Sequence, residues 1–177
     1  PERVFYGWWI VGMSVLALST ATSAFCFASL GFFMLPFNAE FGWDRAEISL
    51  SLTVFLIATA FSTPIVGWLV DRYGSRKVVI PSIIASGLSL AAVPIFVTEL
   101  LHLSLIFLLI GVFGAGTNPV TYMPVISAWF DRHRGLAIGI SVSGVGLGYA
   151  YMPVLVQYMI STFGWRSGYY ALSAIVL

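Results

Sequence analysis

Charge is what this chain most lacks. Only 8% of its 177 residues are Asp, Glu, Lys or Arg, against about a quarter in soluble globular domains. With 59% hydrophobic residues and a mean hydropathy of +0.97, that shortage argues against a water-soluble fold. Cysteine is nearly missing too, and a lone Cys26 in an apolar run excludes an intrachain disulfide framework. Eight basic and seven acidic residues leave no basic footprint, so no nucleic-acid partner is expected. Histidine is limited to His102 and His133, in different connections on opposite sides of the predicted spans. They cannot share a metal ion, and no metal or cofactor is expected.

What the chain has instead is long uncharged runs, at 4–39, 48–70, 78–98, 100–130, 135–165 and 167–177. A helix that crosses a bilayer needs roughly 20 apolar residues, so the first five qualify. The sixth has eleven residues and no polar flank. It is expected to be a span that continues beyond the sequence, and the absence of an initiator Met agrees with a fragment. Helices are predicted at about 7–35, 45–70, 78–98, 103–130, 136–163 and, incomplete, 167–177. No linker interrupts them, so residues 1–177 form one all-α membrane domain. Arg3 ahead of an apolar run could suggest a signal peptide, but that run is too long for a signal core.

Basic residues alternate between the two sides. Arg3, Arg72, Arg76, Lys77, Arg132 and Arg134 fall on one side and only Arg45 and Arg166 on the other, so the positive-inside rule places the N-terminus in the cytoplasm. The tryptophans Trp8, Trp9, Trp43, Trp68, Trp129 and Trp165 all fall near predicted span ends, where indole rings favour the headgroup level.

Local signals refine the spans. Helix one is expected to end near Pro36. Asp44 and Glu47 have the spacing of a capping box at the entry to helix two. Pro81 falls in the first turn of helix three and Pro94 near its end, while Pro119 and Pro124 should kink the middle of helix four and free some carbonyls. Gly139, Gly144, Gly146 and Gly148 on helix five, ahead of Pro153, suit close helix approach. They sit inside a span and follow no strand, so they are no phosphate loop. Phe41-Gly-Trp-Asp44 is echoed by Phe163-Gly-Trp-Arg166, through either an inverted repeat of three helices plus three or shared helix-entry chemistry.

The sharpest motif is Gly67-Trp-Leu-Val-Asp71-Arg72-Tyr-Gly74-Ser-Arg76-Lys77, read as a loop between the second and third spans. Gly67 permits close backbone approach, Gly74 a tight turn, and the basic residues hold the inner surface; ordinary topogenic charge is the plainer alternative. The pattern resembles the signature that major facilitator superfamily transporters carry at this place. The resemblance implies the N-terminal six-helix half of a twelve-helix transporter, built as a 3+3 inverted repeat. It further implies that Asp71 latches a cytoplasmic gate against the C-terminal six-helix half, with Asp131, Arg132 and Arg134 as the matching charges. Arg134-Gly-Leu-Ala137, Ser143-Gly144, Pro153 and Gly164-Trp-Arg166 are similar to the monocarboxylate porter and oxalate/formate antiporter group. Helix one here lacks the lysine that animal monocarboxylate porters carry.

Every Asp, Glu, Lys and Arg is expected in a connection or at a helix end. A charge at mid-bilayer costs about 3 kcal/mol and marks ion paths, so this half offers neutral polar groups, and any arginine for a carboxylate must come from the other half. Asn118 and Tyr122, read as one turn apart on helix four, are the leading candidates to donate hydrogen bonds to a substrate oxygen. Satisfying carbonyls freed by Pro119 and Pro124 is their alternative role. Ser23 and Phe27, on a helix-one stripe with Thr20 and Gly31, are further candidates, though such a stripe equally serves packing. Tyr149 and Met152 are expected to pack. The resulting expectation is alternating-access transport of a small organic anion, a monocarboxylate by resemblance, by proton symport or exchange for a counter-anion, in a bacterial inner membrane. Another solute, or a membrane scaffold without transport, is the alternative.

Overall fold

The computed structural model describes residues 6–130 and 133–177, with their side chains except at 23–25 and 28. Arg3, Asp131 and Arg132, and the side chain of Ser23, lie outside the described residues. The described elements are α1 (Tyr6–Ser19), α2 (Thr22–Phe41), α3 (Arg45–Tyr73), α4 (Ser75–Phe96), α5 (Leu100–Gly114), a 3₁₀ turn (Ala115–Thr117), α6 (Pro119–Trp129), α7 (Arg134–Phe163) and α8 (Trp165–Val176). Segments 45–73, 75–96, 100–129 and 134–163 are each long and apolar enough to cross a membrane. α1 is a shorter apolar helix, and with α2 it covers the first predicted span. Phe61, Leu35 and Val154 are 76%, 70% and 71% exposed. Such outward apolar surface would be ruinous in water and is what lipid requires.

α3 packs along α5, α1 along α7, and α4 against α5 and α8. The main core gathers Phe33 and Phe37 of α2, Leu90 of α4, Phe107 of α5, Met152 of α7 and Tyr169 of α8. Glycine sets the closest approach. A Cβ at Gly144 would strike the Val15 backbone of α1, and one at Gly111 the Phe55 carbonyl and Ala58 side chain of α3. Nothing lies within 4 Å of Cβ positions at Gly67, Gly139 or Gly146. Of the glycines expected to bring helices together on helix five, Gly144 does so, and Gly148 is buried.

Several expected boundaries move. The helix over 7–35 is two helices, separated at Thr20 and Ala21, where Ala21 is extended (φ −62°, ψ 137°). Pro36 does not end it. The proline sits inside α2, which runs on until Gly42 enters the left-handed region (φ 72°) and donates its N–H to the Asn38 carbonyl at 2.9 Å. In lipid no water waits to bond a freed backbone, so the helix continues past a proline until a glycine can close it. Asp44 and Glu47 form the capping box, with the Asp44 N–H donating to Glu47 Oε2 at 2.9 Å.

The basic motif is not a loop. Asp71 and Arg72 lie in the last turn of α3, Arg76 and Lys77 in the first turn of α4, and Gly74 alone joins them, with φ 84° and ψ 151°. Gly164 joins α7 to α8 in the same way, at φ 83° and ψ 166°. Each donates its N–H to the carbonyl four residues back, Val70 and Ile160. Gly42, in the echoed Phe-Gly-Trp segment, has ψ 10° instead. The backbone equivalence thus pairs Gly74 with Gly164, the matching junctions of two three-helix repeats. The Phe-Gly-Trp echo has another use: Trp43 and Trp165 both pack on Phe37 and Phe41, Trp165 at 5.0 Å from Phe37 and Trp43 at 4.4 Å from Phe41.

Candidate functional site

A helix broken inside a membrane must find partners for its freed backbone groups. At the first break the Ser19 hydroxyl donates to the Leu16 carbonyl at 2.8 Å, the Thr20 hydroxyl to Ala17 at 3.0 Å, and the Ala21 N–H to Leu18 at 3.2 Å. The Ser19 carbonyl takes a bond from the Tyr151 hydroxyl of α7 at 3.3 Å. Thr20 is therefore a capping residue of the break and not part of a stripe with Phe27.

The second break lies at the 3₁₀ turn in the fourth span. Gly114-Ala-Gly-Thr-Asn-Pro119 specifies it: proline has no N–H to continue α5 and suits the first position of α6. The residue before a proline is pushed out of helical geometry, and Asn118 is extended (φ −80°, ψ 163°). Asn118 and Tyr122 are consequently not an i, i+4 pair within one helix. Asn118 is the N-cap residue of α6, half-buried, and Tyr122 lies inside that helix.

The two breaks touch. The Thr22 N–H donates to Thr117 Oγ1 at 3.2 Å, the Thr117 hydroxyl to the Gly114 carbonyl at 2.8 Å, and the Thr22 hydroxyl to Ser86 Oγ of α4 at 3.2 Å. Beside them a cleft of about 370 Å³ opens between α1 and α6, with α4 as its floor; Trp9, Met13, Ser14, Ile83 and Tyr122 line it. That is within the roughly 300–1,000 Å³ usual for small-molecule sites. Asn118 is not among its lining residues. Phe27 is exposed and packs edge-on against Tyr149 of α7, ring centroids 6.4 Å apart. Met152 is fully buried packing. Sequence reasoning missed Thr22, Ser86, Thr117 and Tyr151. The run Ser19-Thr-Ala-Thr-Ser23 was the available signal, since short hydroxyl side chains compete for backbone groups.

At the basic end, Asp71, Arg72, Arg76 and Lys77 are exposed, and Asp71 has no ion-pair partner among the described residues. The Arg72 guanidinium lies 5.4 Å from the Trp68 ring and 5.7 Å from that of Tyr73. Arg134 Nε donates to the Ser127 hydroxyl at 2.8 Å, tying α7 to the end of α6. At the opposite end Arg166 pairs with Glu40 through two bonds, of 2.6 and 3.0 Å, and the Trp165 indole N–H donates to the same carboxylate at 2.6 Å.

The Arg166 hydrogen bonds, then that from Trp165, hold the Glu40 carboxyl below its ordinary range. A depressed folded-state pKa gives stability that is present above the unfolded carboxyl pKa, about 4.3, and is lost as pH falls through the folded value. Acidification below about pH 4.3 is thus expected to lower the melting temperature, and Glu40→Gln to flatten that part of the profile. Because the pair is solvent-exposed the effect will be small and weakened by salt. An acid limb identical in both proteins would refute it.

A bundle of apolar helices arranged as two three-helix repeats, with the first span of each repeat broken midway and the breaks in contact, has the architecture of an inverted-repeat membrane transporter. Residues 16–177 match the Major Facilitator Superfamily, and the chain belongs to that family. It is 30% identical over 178 residues to bovine (Bos taurus) monocarboxylate transporter 13, covering 97% of this chain and 40% of that protein. Human (Homo sapiens) monocarboxylate transporter 11 is 29% identical, with 97% of this chain and 36% of that protein covered. The uncharacterized MFS-type transporter YcxA of Bacillus subtilis is also 29% identical, over 84% of this chain and 36% of its own length. The chain thus spans about two-fifths of the length of these curated relatives.

Proposed function

We propose that this chain is the N-terminal half of a secondary transporter that moves a small organic anion, a monocarboxylate, by alternating access. The observation that carries the reading is the contact between two mid-span breaks, with the neutral polar residues Asn118 and Tyr122 at and beside them and an open cleft alongside. In inverted-repeat transporters, discontinuous helices form the substrate site near the bilayer midplane. The monocarboxylate class comes from the names of the relatives. Asn118 and Tyr122 would give hydrogen bonds to the anion, and Phe27 and Ser23 are proposed as further substrate contacts. Charged side chains among the described residues sit at helix ends, so the counter-charge would come from a C-terminal six-helix half.

The basic end, with Gly67, Asp71, Arg72, Gly74, Arg76 and Lys77, would face the cytoplasm of a bacterial cell and latch that half, assisted by Asp131 and Arg134. The test is uptake of labelled lactate, acetate and oxalate by proteoliposomes of the full-length protein. Lactate is expected to accumulate faster with an inward proton gradient if transport is symport, and only against a preloaded anion if it is exchange. No uptake of any of the three under either condition would end the monocarboxylate reading.

A further inference from the structure

Thr117 occupies a position where one hydroxyl serves both broken helices. Its oxygen accepts the Thr22 N–H, a donor that the first turn of α2 cannot satisfy internally, and its proton goes to the Gly114 carbonyl at the end of α5. Thr22 extends the chain of bonds by donating its own hydroxyl to Ser86, which donates to the Ile83 carbonyl at 3.1 Å. Every proton in this chain has one destination, and Thr22, Ser86 and Thr117 are all buried. A Cβ at Gly114 would press on the Thr22 side chain, and one at Gly116 would strike Ser82. The three hydroxyls are thus closely packed.

The placement follows from the repeat. Residues near the axis that relates two inverted repeats meet their own counterparts, and here the break of one repeat bonds the break of the other. Thr117 also directly precedes Asn118, whose backbone is already extended by Pro119 and whose N–H donates to Ala115 at 3.3 Å. Fixing Thr117 to Thr22 therefore fixes where Asn118 stands relative to the first turn of α2.

We infer that Thr117 is the positioning residue of the substrate site: its hydroxyl locks the two mid-span breaks together and so sets Asn118 against the wall formed by α2. The inference rests on the reading of Asn118 as a substrate ligand, and the experiment separates the two. In the full-length transporter, Thr117→Val keeps the shape and removes both bonds, whereas Thr117→Ser keeps the hydroxyl. Amide hydrogen exchange is followed in the peptides covering 20–23 and 115–118, together with lactate uptake kinetics. Thr117→Val is expected to speed exchange in the 20–23 peptide by about tenfold or more, and to raise the KM for lactate by about fivefold or more with kcat within about twofold. Thr117→Ser is expected to restore both. If the valine variant does not fold, the unsubstituted protein still decides: added lactate should slow exchange in the two peptides together, and slowing in one alone would refute the coupling. Unchanged exchange in Thr117→Val, or a serine variant as impaired as the valine one, would also overturn the inference. An Asn118→Leu protein with unaltered KM beside a Thr117→Val protein with a raised one would instead sink the Asn118 reading and, with it, the role of Thr117 in setting that residue, leaving only the bond between the two breaks.

Discussion

Gly144→Ala is expected to destabilise the folded bundle by about 1–3 kcal/mol, the usual cost of forcing one extra methyl into a filled interface. The new Cβ would meet the Val15 carbonyl and Cα, which belong to the α1 backbone and cannot rotate away as a side chain would. α1 must therefore move off α7. That displacement also strains the Tyr151 bond to Ser19 that closes the first break. A melt of the purified protein in detergent, followed by loss of the monodisperse species, measures the effect. Gly139→Ala is the control, because nothing described lies within 4 Å of its Cβ position, and alanine is the better helix former by about 1 kcal/mol. Equal melting temperatures for the two variants would mean that α1 and α7 are not in backbone contact.

Asn118→Leu is expected to weaken lactate binding by roughly ten- to hundredfold, the loss of a hydrogen bond to a charged acceptor being about 1.5–3 kcal/mol. Insertion and folding should survive. The extended backbone at 118 is imposed by Pro119, not by the amide side chain, and the hydroxyl bonds that join the breaks come from Thr22, Ser86 and Thr117. Titration of the purified full-length variant with lactate reads the affinity, and an unchanged value removes Asn118 from the site.

How much of this was legible in the residues depends on whether a local signal was strong enough to act alone. The capping box at Asp44, the four long apolar segments and the interruption at Pro119, expected as a kink, all follow from side chains that dictate their own backbone. The break after Ser19 has no glycine or proline to announce it. It exists because Thr117 and Tyr151, remote in sequence, meet the freed groups. Pro36 gave the opposite error, a strong local signal that its surroundings overrule. The reading of Asn118 and Tyr122 as one turn apart inside an unbroken helix fails for a related reason. A spacing of four implies a shared face only inside an unbroken helix, and Pro119 starts a new one between them. The candidate residues at 23 and 131 lie outside the described side chains.

The single-glycine junctions at 74 and 164 have a mechanical consequence. A connection of one residue leaves no slack, so α3 and α4, like α7 and α8, cannot slide far past one another. The charges on either side of Gly74 are therefore held at a set spacing, and any displacement of α3 carries those of α4 with it.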